Sequence, residues 1–379
     1  MKKYLFASLL ILVLLASCKG KHSDKSASNS SIEVLKQALP DSVKLYIDSK
    51  VLDLAKKSKS IVTAVVSKDS SQAYYAGYDG RNNKLITDFT TLNEIGSNTK
   101  LFTATAVLQL IEQHKFSLDD PLMSILQIPE LNELLIIDGE NYIDSVKVVH
   151  LLNHTSGLPE YFVDDDDEEI ELHGDPSLVF TANDLIGMAK DNITNPLIPG
   201  SSFNYCNLNY VLLGMIIEKF SGQTYQQYMQ EHIIDKLQLK NTYLGTINLP
   251  EKRAQGHYKG EDSFMPFTLA GPAGEIIMDL EDMDKFIGSW YKGELFENPK
   301  TMQSILNDHY HEMANGINYG MGVVSIFNKS YGHAGQTFGF QSYMCNLTNN
   351  YRFAFIIDDA SVSAWNLAIE FTSDLSKLN

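Results

Sequence analysis

Ser97 and Lys100 stand three residues apart in Ser97-Asn98-Thr99-Lys100, immediately ahead of the apolar run Leu101–His114. If that run is a helix, Ser97 falls at its first turn and Lys100 shares a face with it, within reach of the hydroxyl. A serine hydroxyl is a poor nucleophile until a neighbouring base takes its proton, and a lysine serves once burial and neighbours lower its pKa. The start of a helix also aims backbone N–H groups at the reacting centre. Alone the pattern is weak, because Ser289-Trp290-Tyr291-Lys292 repeats it and a lone match is more often a helix cap.

Two further patterns add chemistry. Tyr205-Cys206-Asn207 follows Pro199-Gly200, precedes a helix, and is the one Tyr-x-Asn in a chain with 19 tyrosines. Such a loop directs Tyr205 and Asn207 the same way while the middle residue faces the core. A phenol beside a cationic lysine is expected to ionise more easily, which makes Tyr205 a second candidate base or proton shuttle; Asn207 would hydrogen-bond Lys100 or a substrate amide. His333-Ala334-Gly335, the one His-x-Gly, opens the first of the C-terminal strands. The absent side chain at Gly335 is expected to let a substrate lie along the strand edge, and the N–H of Gln336 can donate to an oxyanion. Each pattern also has a bland reading: a core tyrosine, a satisfied histidine, a turn glycine.

The elements that must position these residues follow from periodicity. From Ser42 to Lys57, Val43, Ile47, Val51 and Leu54 recur at helical spacing, and Ile61–Val66 and Ala73–Tyr78 suit a hairpin. The middle of the chain is helical with long loops: Leu101–His114, a helix starting in Val146–Asn153, and Tyr210–Phe220 ending before Ser221-Gly222. Tyr331–Phe340, Gln341–Leu347 and Arg352–Asp358 are short and β-prone, and a last helix over Val362–Leu378 puts Trp365, Ala368, Phe371 and Leu375 on one stripe. Strands at both ends enclosing helices imply an α+β fold, one antiparallel sheet built from both chain ends with a helical region inserted. The folded part is expected from about 32, its strand-bearing parts at about 32–95 and 271–379 and its helical part at about 96–270.

Taken together, Ser-x-x-Lys, Tyr-x-Asn and His-x-Gly, in this order near residues 97, 205 and 333, resemble the three active-site elements of the serine β-lactamase and penicillin-binding-protein superfamily. Order and spacing are most similar to its class C β-lactamase and D-alanyl-D-alanine carboxypeptidase branch. Leu151-Leu152-Asn153-His154-Thr155-Ser156-Gly157-Leu158-Pro159, similar to a loop signature of that branch, and Tyr319-Gly320-Met321-Gly322 support it. The resemblance covers roughly residues 40–379 and implies an antiparallel sheet flanked by helices beside an all-helical region, with the site in the cleft between. It implies an acyl-enzyme on Ser97, formed from an ester or amide, with Lys100 and Tyr205 moving protons. Asn207, His333 and Gly335 would line the pocket, the N–H groups of Ser97 and Gln336 would form the oxyanion hole, and no cofactor is called for. His154 and Ser156 read as structural. Two departures leave the substrate open among esters, D-Ala peptides and β-lactams: His333 stands where β-lactamases of this branch usually have Lys, and Ala334 where a hydroxyl often helps bind a carboxylate. Among rivals, an α/β-hydrolase needs a Gly-x-Ser-x-Gly elbow that the chain lacks, and a catalytically silent surface binding protein of the same fold is the alternative from another class.

The chain has 379 residues, 44% of them apolar, enough for one large domain or two intimately packed ones; its net charge of −17 argues against a nucleic-acid partner. Lys2 and Lys3 precede the apolar run Leu5–Leu15 and then Leu15-Ala16-Ser17-Cys18, which looks like a bacterial lipoprotein signal. Residues 1–17 would be removed, Cys18 would carry the lipid, and the polar stretch to residue 31 would tether the fold to a membrane of the cell envelope. The run is short for a span of ~20 residues. Cys206 and Cys345 read as buried free thiols, no His/Cys cluster suggests a metal, and the six acids Asp164–Glu169 read as a solvated loop. The partners expected are thus a small-molecule or peptide substrate and a membrane.

Overall fold

The computed structural model describes residues 39–68, 72–162, 178–245 and 252–378. The leader, Cys18, the tether and the acidic run 164–169 lie outside these residues. Three strands come from one end of the chain, β1 (Ile61–Lys68), β2 (Ala73–Asp79) and β3 (Lys84–Leu85). Six come from the other: β4 (His311–Ala314), β5 (Ile317–Tyr319), β6 (Val324–Ile326), β7 (Ser330–Gln336), β8 (Gln341–Leu347) and β9 (Tyr351–Ile357). They form one antiparallel sheet in the order β4-β5-β6-β7-β8-β9-β1-β2-β3. The two sets join where β1 pairs with β9, in register from Val62 opposite Ile357 to Lys68 opposite Tyr351.

Alternation along the strands divides the core in two. Val62, Ala64 and Val66 share one face with Phe353, Phe355 and Ile357, while Val65, Ala354 and Ile356 face the other way. Five helices bury these faces: α1 (Asp41–Ser58), α2 (Thr99–Glu112), α3 (Leu208–Ser221), α4 (Leu280–Tyr291) and α5 (Ala364–Leu375). α1, through Val43, Ile47, Val51 and Ala55, and α5, through Leu367, Ala368, Phe371 and Leu375, cover the first face. α4 covers the second, and behind it α2 and α3 pack into the larger core. α2 is buried from Thr99 to Leu110 on every side, as a helix apolar all round must be; the rings of Phe102 and Phe286 stack 3.6 Å apart and fasten it to α4. Among the described residues no helix is long and apolar enough to cross a membrane.

The helices and the long strands fall where the periodicity puts them, to within a few residues. Besides the two-residue β3, three strands of this sheet are additional: β4, β5 and β6 precede β7, so His333 sits inside a sheet rather than opening its C-terminal part. They have three or four residues each and include His311, Glu312 and Asn318, too short and polar for an alternating signal. β7 itself ends at Gln336, four residues earlier than the sequence suggests, because the chain turns there into β8.

Candidate active site

Ser97 lies on a single turn, Gly96–Asn98, that runs straight into α2. The turn is held from below. Asn98 Nδ2 donates to Ser342 Oγ at 2.8 Å and to Ile95 O at 3.1 Å, Ser342 Oγ donates to Ile95 O at 2.9 Å, and the Ile95 N–H donates to Ile276 O at 3.1 Å. That last bond continues a small second sheet, in which Asn93–Glu94 pairs with Ile276–Met278.

One turn on, Lys100 is fully buried. Its Nζ reaches Asn207 Oδ1 at 2.7 Å, Ala273 O at 2.8 Å and Ser97 Oγ at 3.0 Å, and it lies 4.9 Å from the Tyr205 ring centre and 5.4 Å from that of Tyr210. Burial pulls the Lys100 pKa down from 10.5 to about 7, with Glu160 opposing the fall. Two of its three partners can only accept, so they claim two N–H bonds whatever the charge. The third position, toward Ser97, holds either a proton or, in the amine, a lone pair that can take one.

Tyr205 and Asn207 flank Cys206 on the loop before α3, and the Cys206 side chain is buried as the sequence suggests. The Tyr205 phenol lies beside the Ser97 side chain, which favours its ionised form slightly. Its expected ease of ionisation is reversed: burial pushes the phenol well above 10, with Tyr210 and Glu160 adding to the rise. The low-dielectric pocket that discharges Lys100 penalises a phenolate equally. The Asn207 amide is oriented by Glu160, whose Oε2 accepts from Asn207 Nδ2 at 3.1 Å and from its backbone N–H at 2.6 Å. Glu160 is the residue that sequence reasoning missed; a glutamate after Pro159 carries no periodic or motif signal of its own.

β7 closes the other side. β6 pairs with it only as far as Gly332, so among the described residues the edge from His333 to Gln336 faces no strand. Thr337 N donates to Phe340 O at 3.0 Å, and the alternation of an antiparallel ladder then turns the N–H and C=O of Gln336 away from β8. They face the Ser97 turn: a Cβ on Gly96, whose φ is +50°, would lie 2.6 Å from Gln336 O and 2.8 Å from its N. The room left by Gly335 is filled by the chain itself, since a Cβ there would lie 1.9 Å from Ile95 O and 2.8 Å from Asn98 Nδ2. The expectation of space for a substrate at Gly335 is therefore revised; the glycine lets the Ser97 turn approach the strand.

His333 is buried, and burial with the nearby Lys100 lowers its pKa to about 3, so the ring is neutral. Its Nε2 meets the Tyr319 hydroxyl at 2.9 Å, and Nδ1 contacts Ala334 O. A carbonyl only accepts, which puts the ring proton on Nδ1 and leaves Nε2 to accept from the phenol. Ser156 Oγ donates to Asn209 Oδ1 at 2.6 Å and His154 Nδ1 accepts from Cys206 N at 3.1 Å, contacts within the scaffold beneath Tyr205 and Asn207. The second Ser-x-x-Lys stands elsewhere: Ser289 and Lys292 line a cleft with Tyr75, Glu281 and Arg352.

Known proteins resemble this chain in sequence and in fold. The family described as Beta-lactamase matches residues 51–363. Protein flp of Staphylococcus aureus strain MW2 is 28% identical over 247 residues, 64% of this chain and 46% of that protein, so the chain spans about half the length of the curated relatives it matches. The D-amino acid amidase of Ochrobactrum anthropi SV3, solved with L-phenylalanine amide, superposes with a TM-score of 0.73 at 20% identity, covering 89% of this chain and 97% of that one. The penicillin binding protein of Bacillus halodurans superposes with a TM-score of 0.70 at 25% identity, covering 85% and 99%.

Proposed function

Since the chain belongs to the β-lactamase family, matched from residue 51 to 363, we propose that it is a serine hydrolase in which Ser97 forms an acyl-enzyme with an ester or amide that bears no free carboxylate at the scissile end. The observation that carries the reading is the cage around Lys100: Asn207 Oδ1 at 2.7 Å and Ala273 O at 2.8 Å hold two of its hydrogens, leaving the third direction to Ser97 Oγ at 3.0 Å. The neutral amine takes the Ser97 proton as Oγ attacks the carbonyl carbon. The oxyanion is met by the N–H groups of Ser97 and Gln336. The proton returns through Lys100 or the Tyr205 hydroxyl to the departing alcohol or amine, and water then releases the acid by the same steps in reverse.

Substrate class follows from what the pocket can donate. A carboxylate needs charged or hydroxyl donors, worth roughly 1.5–3 kcal/mol each. Ala334 has no side-chain donor, and neutral His333 is engaged at both nitrogens. Arg81 is spent on Asp358 and Arg352 on Asp284. An amino acid amide of the kind seen in the Ochrobactrum neighbour offers a neutral carbonyl beside an ammonium, which a protein of net charge −17 tolerates better than an anion. The test is intact-mass labelling with a fluorophosphonate, followed by turnover of aryl esters, amino acid amides and a cephalosporin. One adduct is expected, lost in Ser97→Ala, with neutral esters or amides turned over faster than the cephalosporin. An adduct that survives Ser97→Ala, or a cephalosporin that outruns every neutral substrate, contradicts the reading.

For location we propose the cell envelope, through lipid on Cys18, on the strength of Leu15-Ala16-Ser17-Cys18 after a basic and apolar leader. Cys18→Ser is expected to move the protein from the membrane to the soluble fraction; retention in the membrane fraction contradicts it.

A further inference from the structure

We propose that Glu160 is a positioning residue for this reaction, orienting the Asn207 amide toward Lys100 and standing as the counter-charge of that lysine. The inference rests on the reading of Lys100 as the base for Ser97.

Among the described residues every hydrogen-bond partner of the Glu160 carboxylate is a donor. Oε2 accepts from Asn207 N at 2.6 Å and Asn207 Nδ2 at 3.1 Å; Oε1 accepts from Tyr161 N at 2.8 Å and Phe162 N at 3.1 Å. Burial raises the Glu160 pKa above its ordinary value, and the N–H groups together with Lys100 oppose that rise; four donors fit an anion and leave the O–H of a protonated acid without an acceptor. They also occupy the lone pairs that a substrate would need, so Glu160 acts through Asn207 and not by touching the reacting atoms. The consequence for Asn207 is strict: with Nδ2 committed to Glu160, only Oδ1 can face Lys100, as the 2.7 Å contact requires.

The electrostatic argument is independent of that geometry. The titratable groups that face Lys100 are Tyr205 and Cys206 on the loop before α3, Tyr210 on α3, His154 on its own loop and His333 on β7. All are neutral at pH 7: burial lowers both histidines and raises the phenols and the thiol. Among the described residues this leaves Glu160 as the carboxylate acting on Lys100. A buried ammonium without a counter-charge is costly, and Glu160 keeps Lys100 near neutrality rather than deprotonated at every working pH. The lysine can then both accept the Ser97 proton and give it back.

The test is the second-order rate of Ser97 labelling by a fluorophosphonate on the full chain between pH 5 and 9, which needs no knowledge of the substrate. Glu160→Gln removes the charge and gives one of the four N–H groups an NH2 to face. Its acid limb is expected to move down by about one pH unit and its plateau to fall by roughly tenfold or more as Asn207 loses its fixed amide. Glu160→Asp keeps the charge and shortens the reach, so its limb should stay while its plateau falls; it also decides the matter if Glu160→Gln does not fold. A wild-type limb in Glu160→Gln, or a wild-type plateau in Glu160→Asp, overturns the proposal. An unchanged pH profile in Lys100→Ala would instead overturn the reading of Lys100 as base, and the proposal with it.

Discussion

Lys100 and Tyr205 face the same hydroxyl from one dry pocket, and that pocket pushes their proton affinities in opposite directions. The lysine comes down to about 7 while the phenol rises out of reach, so at neutral pH the amine is the resting base and the phenol a donor. Below pH 7 Lys100 carries its proton and cannot accept one from Ser97. The rate kcat/KM should therefore fall as the pH drops through about 7 and level off above it, and a pH–rate profile checks this. Tyr205→Phe should lower the plateau by about 10² yet keep that limb, whereas Lys100→Ala should remove the limb altogether. A limb that disappears in Tyr205→Phe would hand the base role to the phenol.

At the scale of elements, what could be read in advance was whatever carries a period. α1 shows its stripe of Val43, Ile47 and Val51, and α2 its unbroken apolar run, and β8 and β9 are β-prone throughout. The three motifs were legible because their residue types are rare in those combinations. Contacts that exist only in three dimensions were not: the donors around Glu160, the Ala273 carbonyl under Lys100, and the Tyr319 hydroxyl that fixes the His333 ring. Gly335 shows the difference, since its spacing from His333 is visible but the Ile95 carbonyl beside it is not. Gly335→Ala should force β7 and the Ser97 turn apart, costing about 3 kcal/mol of stability and most of the activity. Gly187→Ala, on the helix Ala182–Asp191 with nothing within 4 Å of its Cβ, should instead stabilise by roughly 0.5–1 kcal/mol. Denaturant melts of the two variants check both signs, and a neutral Gly335→Ala would remove the close approach from the account of the site.

For the molecule as a whole, the sheet is a wall between two cores, and each holds one thiol: Cys206 lies with α2 and α3, Cys345 with α1 and α5. Both are free and buried, and no rearrangement short of unfolding brings them together. In a Cys18→Ser background, a thiol reagent should find nothing in the native protein and two groups after denaturation, and a reductant should leave the melting temperature unchanged; fewer than two groups would reveal a bridge. The same wall has a history in time. Its central seam joins β1 to β9, strands separated by about 290 residues, on the order of half a minute of synthesis at roughly 5–20 residues per second. Until Tyr351 and its successors join the fold, β1 has one long side without a neighbour, an edge open to pairing with other unfinished chains. A copy cut short anywhere before β9 is thus left incomplete at the middle of its own sheet, with β1 as the bare edge.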